Sequence, residues 1–291
     1  VGSLRIPPHG RIPWGSMKIW CLASEVDPFA KTGGLADVAG ALPKALSGLG
    51  HDVRVILPLY RQVARDRFGL RPTAHAVTVP LGTAREARIW EGVLPKSRVP
   101  AYFVECAELF DRDALYQTGG KDYPDNLERF SLFVQAALAL PSQLGWRPDV
   151  VHAHDWQASL ACAHLALGPA AQDQFLASAG TVFTVHNLAY QGLFPKTQWP
   201  LTRLPESAFT IQGLEYYDQI NCLKGGLVTA DLLTTVSPTY VREIQTPAFG
   251  CGLDGVLLQR RDDLVGILNG IDMEEWNPQA DPHVAAHYST D

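Results

Sequence analysis

The segment KTGGL contains the residue types that a diphosphate site requires. Residues 17–23 (MKIWCLA) before it predict a buried strand, and residues 36–49 after it carry apolar residues at helical spacing. Gly33 and Gly34 let the backbone approach a ligand, and the start of the helix directs free N–H groups and its positive dipole end toward it. Lys31 adds a positive charge. The segment predicts an anion site, although a plain turn with a solvated lysine explains it equally well by itself.

The segment HAHDW at residues 152–156 could also do chemistry. It follows the strand-like run DVV, where the Asp155 carboxylate can hold a sugar hydroxyl or stabilise positive charge that develops at an anomeric carbon. A helix N-cap is the alternative, because aspartate is a preferred residue there. His152 and His154 could indicate a metal site, but no H-x-x-x-H or cysteine partner accompanies them. We therefore interpret them as hydrogen-bonded loop histidines.

A histidine and an amide follow the next strand-like run, FTV. His186 and Asn187 precede a loop that contains Tyr190 and Gln191. Sugars present apolar C–H faces and edge hydroxyls, which suit an aromatic ring beside amide and imidazole groups. A buried, hydrogen-bonded histidine is the alternative interpretation of His186. These four side chains are candidate sugar contacts.

Three other segments are weaker candidates. Asp37, on the first helical turn after KTGGL, orders the glycine loop or accepts hydrogen bonds from sugar hydroxyls, unless it is only an acid favoured by the helix dipole. Asn269 begins NGID, which is a turn signature first and a ligand contact second. Lys224-Gly225-Gly226 imitates the first glycine loop, but it lies in the apolar run NCLKGGLVTAD, which indicates a tightly packed helix.

These residues follow the strands of a predicted α/β fold. Strand-like runs alternate with helical patterns over most of the chain, with strands at 17–23, 51–58, 148–152, 181–185, 232–236 and 264–268, and helices at 36–49, 127–144, 157–167, 221–230 and 238–244. Residues 75–106 predict an antiparallel insertion or sheet extension, and residues 109–126 predict a loop. The order predicts a Rossmann-like parallel sheet with helices on both faces.

Such sheets bind ligands beyond the carboxyl ends of their strands, near the place where the strand order reverses. The polar residues that follow the predicted strands should therefore share one cleft: Lys31, residues 152–155, His186, Asn187, Ser237 and Asn269.

Composition excludes several classes of protein. At 291 residues, with 46% hydrophobic and 19% charged residues, the chain has an ordinary globular composition. The formal net charge is −6 and there is no basic cluster, which disfavours a nucleic-acid partner. Five cysteines, at Cys21, Cys106, Cys162, Cys222 and Cys251, lack C-x-x-C spacing. Neither a zinc site nor a disulfide framework is indicated, and a reducing cytosol fits.

Residues 1–16 do not have the pattern of a targeting segment. They contain three prolines and no continuous apolar core, so they predict neither a signal peptide nor a membrane span. We interpret them as a vector-derived or upstream extension before a natural start at Met17. Because no plastid transit segment is recognisable either, we expect a bacterial cytoplasmic location and no membrane partner.

Five blocks of the sequence together resemble one family. KTGGLADVAGALPKAL, VVHAHDWQASLA, FTVHNLAYQGLFP, CLKGGLVTADLLTTVSPTY and GILNGIDMEEWNP are similar, in the same order, to blocks of the bacterial glycogen synthase and plant starch synthase family. The resemblance runs from Met17 to about Pro278. It implies one lobe of a two-lobed GT-B glycosyltransferase that transfers glucose from ADP-glucose to the non-reducing 4-hydroxyl of an α-1,4-glucan, with retention and without a metal or other cofactor.

The resemblance also implies roles for the candidate residues. The carboxylate of Asp155 would be catalytically important, His186 would contact the transferred glucose, and Tyr190 and Gln191 would lie toward the acceptor cleft. The residues expected to contact ADP-glucose are Lys31, Gly33, Gly34, Asp37, Asn187 and Asn269.

The resemblance places residues 17–276 in the N-terminal catalytic lobe and residues 277–291 in a linker that begins a C-terminal lobe. In the family that second lobe holds the base and ribose of the nucleotide, so the isolated chain is expected to be nearly inactive. Two other interpretations stay open: another nucleotide-sugar transferase, such as a sucrose-type enzyme, and a non-enzymatic glucan-binding module. The sequence alone does not choose between ADP and UDP donors, between glycogen and starch, or among oligomeric states.

Overall fold

The structure is a computed structural model that describes residues 15–270 and 277–289. Most of the predicted upstream extension, and Ile271 and Asp272 of the NGID turn, lie outside the described residues.

The strands and helices follow the predicted alternation. The strands are β1 (Lys18–Leu22), β2 (Asp52–Pro58), β3 (Arg71–Leu81), β4 (Thr83–Val93), β5 (Pro100–Glu105), β6 (Gln117–Thr118), β7 (Lys121–Asp122), β8 (Val150–His154), β9 (Gly180–Val185), β10 (Leu193–Pro195), β11 (Glu215–Tyr216), β12 (Gln219–Asn221), β13 (Leu232–Thr235) and β14 (Leu264–Gly266). The α-helices are α1 (Gly34–Gly48), α2 (Ala107–Phe110), α3 (Asn126–Gln143), α4 (Asp155–Leu167), α5 (Cys222–Thr229), α6 (Pro238–Ile244) and α7 (Asp254–Gln259). None of the helices within the described ranges has both the length and the apolar character needed to cross a bilayer.

The main sheet has nine strands in the order β14-β13-β9-β8-β1-β2-β5-β4-β3. The seven strands from β14 to β5 are parallel, and β4 and β3 extend the sheet as an antiparallel hairpin. The chain first builds outward from β1 through β2 to β5, and then returns to place β8 on the other side of β1. The strand order therefore reverses between β1 and β8, which is where a sheet of this type leaves a crevice for a ligand.

The apolar runs form the buried centre of the sheet. Trp20, in β1, is fully buried and donates its indole N–H to the backbone oxygen of Ala137 in α3 (2.9 Å). Its ring also meets Trp146 and Tyr102 edge to face. Because a buried indole N–H is costly without an acceptor, this bond fixes how α3 lies across the sheet.

Three predictions need correction in detail. Residues 109–126 are not only a loop, since they contain the end of α2 and the β6–β7 hairpin. The strand predicted at 148–152 begins at Val150 and extends to His154, and its helix starts at Asp155 rather than at residue 157. The predicted antiparallel extension at 75–106 is confirmed for β3 and β4, whereas β5 also pairs in parallel with β2.

Candidate functional site

A cavity of about 600 Å³ opens at the switch point, beyond the carboxyl ends of β1 and β8. Seven of the residues predicted for the site line it: Gly33, Gly34, Asp155, His186, Asn187, Tyr190 and Asn269. Residues separated by more than 200 positions in the chain thus meet in one place, as expected for side chains that follow parallel strands. The cavity does not include Lys31, Asp37, Gln191 or Ser237 among its lining residues.

The glycine loop forms the floor of the cavity at the start of α1. Gly33 is the N-cap residue, and no side chain caps the helix there. The backbone N–H groups of Thr32 and Gly33 donate to the carboxylate of Glu25 (3.2 Å for Gly33), a residue that sequence reasoning missed. The first amides of the predicted anion site are therefore already occupied by an internal carboxylate.

Lys31 and Asp37 lie together at the edge of this loop. The Lys31 ammonium forms an ion pair with the Asp37 carboxylate, and its Nζ lies 3.9 Å from Asp27 Oδ1. Both members of the closer pair are substantially exposed, so solvent screens the interaction. Asp37 thus pairs with Lys31 beside the glycine loop, and a role for Asp37 toward a ligand stays a prediction.

Asp155 joins two neighbouring strands at the centre of the cavity wall. Its Oδ1 accepts the backbone N–H of His186 (2.8 Å), and the backbone N–H of Asn187 also favours its charged form. Its side chain therefore reaches across from the end of β8 to the end of β9. The structure does not support the N-cap alternative, because the Asp155 carboxylate accepts from the backbone N–H groups after β9 and, within the described residues, from no amide of α4; its φ is +55°.

Burial dominates the electrostatics of Asp155. Its pKa is raised to about 7, because burial outweighs the two backbone N–H groups, and the Glu25 charge raises it further. A carboxyl group that titrates near neutral pH in a cavity is typical of functional sites.

The histidines before Asp155 lie in a strand, so our interpretation of them as loop residues is wrong. His152 and His154 are consecutive alternate positions of β8, and their rings stack with centroids 4.1 Å apart. His152 Nε2 is bonded to the Thr184 hydroxyl (2.6 Å), and His154 Nδ1 to His186 Nε2 (3.0 Å). The two histidines are thus hydrogen-bonded, but to β9 and its end.

The ring nitrogens of His186 are directed to the interior of the protein rather than to the cavity. Its Nε2 is engaged with His154, and its Nδ1 is buried without a hydrogen-bond partner in the described part of the chain. Burial lowers its pKa to about 4, so the ring is neutral at pH 7. A neutral imidazole with one unpartnered nitrogen beside the cavity could hydrogen-bond a sugar hydroxyl after a change of ring orientation.

The loop after His186 divides its residues between the cavity and the interior. Tyr190 is 67% exposed and lines the cavity. Gln191 is buried, donates to the Cys251 carbonyl (2.9 Å) and accepts from the side chain of Asn221 (2.7 Å). Gln191 therefore holds the loop in place, and Tyr190 is the residue available to a ligand.

The second lysine-glycine segment is structural, as predicted. Lys224 lies in α5 and donates to the backbone oxygens of Ile211 (2.6 Å) and Glu215 (2.5 Å). A Cβ on Gly226 would stand 2.7 Å from the Phe183 ring, and one on Gly225 would stand 2.8 Å from Leu214. Both glycines are required by close helix packing.

Sequence reasoning missed one side of the cavity. Besides Glu25, its lining includes Tyr116, Gln117 and Asp122, which come from the segment around the β6–β7 hairpin, and Trp156, next to Asp155. Glu25 stands three residues after β1, so its position behind a strand was a usable signal. The hairpin side offered none, because Tyr116, Gln117 and Asp122 do not follow a strand of the parallel sheet.

The charged side chains that line the cavity in the described part of the chain are all acidic. Among its lining residues in the described part of the chain are three carboxylates, of Glu25, Asp122 and Asp155, and neither a lysine nor an arginine. This wall suits hydrogen bonds to sugar hydroxyls better than it neutralises a diphosphate, for which the exposed start of α1 is the favourable element.

The contrast between Gly34 and Gly226 gives a prediction. A Cβ on Gly34 meets no atom within 4 Å and its φ is not positive, so Gly34→Val should change the melting temperature by less than about 3 °C. The added methyl groups would nevertheless stand in the cavity, and affinity for a ligand should fall at least tenfold. Gly226→Val, whose side chain would clash with the Phe183 ring, should lower the melting temperature by more than 10 °C. Thermal scans and calorimetric titrations of both variants check this contrast; equal losses of stability would contradict it.

The fold and the cavity define an α/β domain with a cavity at the switch point of a parallel sheet. A family model described as the starch synthase catalytic domain matches residues 18–259, and the chain therefore belongs to that family. Within the curated relatives, it is 52% identical over 274 residues to glycogen synthase 2 of Geobacter sulfurreducens and 51% identical over 276 residues to glycogen synthase of Syntrophotalea carbinolica.

Each of these alignments covers 94% of this chain and 56% of the relative, so the chain spans little more than half the length of those proteins. Its structure is similar, with a TM-score of 0.85 and 33% identity, to the catalytic domain of starch synthase IV from Arabidopsis thaliana bound to ADP and acarbose. That match covers 94% of this chain and 56% of the plant chain. The family resemblance and the fold class expected from the sequence are confirmed.

Proposed function

We propose that this chain is the N-terminal lobe of a glucan synthase that transfers glucose from ADP-glucose to the non-reducing 4-hydroxyl of an α-1,4-glucan, with retention at the anomeric carbon. The observation that carries the proposal is the cavity at the switch point, where Asp155, His186, Asn187 and Tyr190 meet the glycine loop. The family to which the chain belongs, and relatives named glycogen synthase, support the same activity. A cytoplasmic location remains a prediction.

The proposed roles follow from the chemistry of the cavity wall. Positive charge develops at the anomeric carbon as the bond to the diphosphate breaks, and the Asp155 carboxylate is the buried negative group placed to stabilise it. Asn187, His186 and Tyr190 would contact the sugar through hydrogen bonds and an aromatic face. Asn269 lies on the same rim and would contact the donor.

The leaving diphosphate needs positive groups that this wall does not supply in full. Gly34 at the start of α1 would contribute its N–H group and the helix dipole, and Gly33, whose N–H is held by Glu25, would allow the close approach of the ligand. Lys31 would contribute its charge if its pair with Asp37 rearranges. We propose that the remaining cationic groups belong to a second lobe, as the family resemblance implies. No metal is part of this proposal.

The test is a transfer assay on the full-length protein that contains this chain. Glycogen would be incubated with radiolabelled ADP-glucose, UDP-glucose or GDP-mannose, and incorporation into polymer would be counted. We expect transfer from ADP-glucose at least tenfold faster than from the other donors. A preference for UDP-glucose or GDP-mannose would indicate another nucleotide-sugar transferase, and glycogen binding without transfer from any donor would indicate a binding module.

The isolated 291-residue chain should show less than about 1% of the full-length rate, because a transition state flanked by two lobes loses most of its stabilisation when one is removed. The same assay with equimolar chain measures this. Elongation by the chain alone at a comparable rate would contradict the two-lobed arrangement.

A further inference from the structure

Glu25 contacts two segments that line the cavity. The residue is only 4% exposed. On one side it accepts the backbone N–H and the hydroxyl of Thr32 (2.6 Å for the hydroxyl) and the backbone N–H of Gly33 (3.2 Å). On the other side it accepts the phenol O–H of Tyr116 (2.7 Å).

The groups that donate to the Glu25 carboxylate are all neutral. Within residues 15–270 and 277–289, no lysine or arginine forms an ion pair with Glu25. A buried carboxylate in this situation depends on each hydrogen bond that it accepts. The pKa of Tyr116 is raised well above its ordinary value by burial and by Tyr60 and Glu25, so its phenol keeps the proton that it donates.

The partners of Glu25 belong to two segments that both line the cavity. Thr32 and Gly33 belong to the glycine loop, which lines it through Leu35. Tyr116 begins the segment 116–122, which lines it through Gln117 and Asp122. Ser24, next to Glu25, also shares a hydrogen bond with the Tyr116 hydroxyl (2.7 Å), which strengthens the same connection.

We propose that Glu25 is a positioning residue. Its hydrogen bonds with Tyr116 on one side and with Thr32 and Gly33 on the other, together called the latch, connect the glycine loop to the segment 116–122 and so set the width of the cavity for the glycosyl donor. The donor's identity rests on the proposed function, whereas the latch rests only on the contacts of Glu25. Glu25 acts through the loop, since its carboxylate is already occupied by protein donors. Its loss should therefore affect donor binding more than the chemical step.

Two variants break the latch from opposite sides. Glu25→Gln replaces one acceptor oxygen with an NH₂ group that cannot accept from the loop amides, and Tyr116→Phe removes only the phenol hydroxyl. Glu105→Gln is the matched control, because Glu105 also accepts two side-chain donors, from Trp90 (3.0 Å) and Arg65 (3.0 Å), but does not line the cavity.

The first measurement is amide hydrogen exchange on the 291-residue chain. In both latch variants we expect exchange at least tenfold faster in residues 32–35 and also in residues 116–122, whereas Glu105→Gln should match the wild type in both segments. Because the two segments are about 80 positions apart in the sequence, joint loosening by either substitution requires a physical connection. Loosening of only residues 32–35 in Glu25→Gln, or of only residues 116–122 in Tyr116→Phe, would overturn the latch.

The second measurement is the kinetics of the full-length protein. We expect KM for ADP-glucose to rise at least fivefold in both latch variants with a smaller change in kcat, and neither constant to change in Glu105→Gln. Altered exchange with unchanged KM would overturn the positioning role and leave Glu25 as a structural residue. If the wild type transferred no glucose, the proposed function would fail, while the exchange experiment would still decide whether the latch exists.

Discussion

Replacing Asp155 with asparagine should lower kcat for the proposed glucosyl transfer by the full-length protein about 100- to 1,000-fold, the loss typical of removing one preorganised electrostatic group. Asparagine keeps the oxygen that accepts the His186 N–H, so the link between the ends of β8 and β9 survives while the negative charge is lost. The variant should therefore fold normally and bind donor nearly as well. Steady-state kinetics with ADP-glucose and glycogen measure the effect.

Asp149→Asn is the matched control for this substitution. Asp149 immediately precedes β8, at the end opposite to Asp155, and its Oδ2 likewise accepts a backbone N–H, from Lys18 (2.7 Å). It does not line the cavity, and its variant should retain wild-type kcat. An Asp155→Asn enzyme within threefold of the wild-type rate would remove this carboxylate from the mechanism.

The pH dependence of kcat/KM should report the ionisation of Asp155. Because the pKa of Asp155 is raised to about 7, its charged form is a minority at pH 6 and the majority at pH 8. If the charged form works, kcat/KM should rise with pH up to about 7 and then level off. The residual activity of Asp155→Asn should lack that rise.

Acidification from pH 7 to pH 5 should strongly destabilise the chain. Four histidines, of which His154 and His164 are buried and the other two half-buried, have lowered pKa values. The pKa is about 4 for His152, His164 and His186, chiefly through desolvation, and well below the ordinary value for His154, through desolvation and the neighbouring rings. In the unfolded chain a histidine titrates near 6.5. Between these values the unfolded state binds protons that the folded state excludes, so stability falls as pH falls.

Asp155 acts in the opposite direction, because its raised pKa makes the folded state bind a proton between about pH 4 and pH 7. The four histidines outnumber Asp155, so unfolding near pH 5 takes up about three protons net. The free energy of unfolding should therefore fall by at most about 4 kcal/mol per pH unit on acidification. Urea unfolding at pH 7, 6 and 5 measures this slope.

His164 separates this explanation from general acid effects. It lies on α4, away from the cavity lining, and its Nε2 donates to the Thr202 carbonyl (2.8 Å). His164→Gln should reduce the slope by about one proton. An undiminished slope, or wild-type stability that does not change between pH 6.5 and pH 5, would contradict the histidine origin of the slope.

The sequence by itself determined the α/β alternation, the strand ends that carry polar residues, and the family. These are local properties: the apolar run of β1, the helical spacing of α1 and the motifs KTGGL and HAHDW are each readable within about twenty residues. It also placed Lys224-Gly225-Gly226 correctly in a packed helix, because an apolar run surrounds that segment. Parallel strands bring their carboxyl ends to one edge, so the convergence of Asp155, His186 and Gly33 followed from the pattern.

Only the tertiary structure decided which groups each side chain meets. Lys31 pairs with Asp37, Glu25 occupies the amides of the glycine loop, and Gln191 turns into the interior while Tyr190 faces the cavity. Each of these outcomes is a competition among donors, acceptors and solvent that lie close in space but have no fixed spacing in the chain. Periodicity can specify which edge of a sheet a residue reaches, but the partner of a buried charge depends on distances that exist only after the sheet, α3 and the 116–122 segment have packed together.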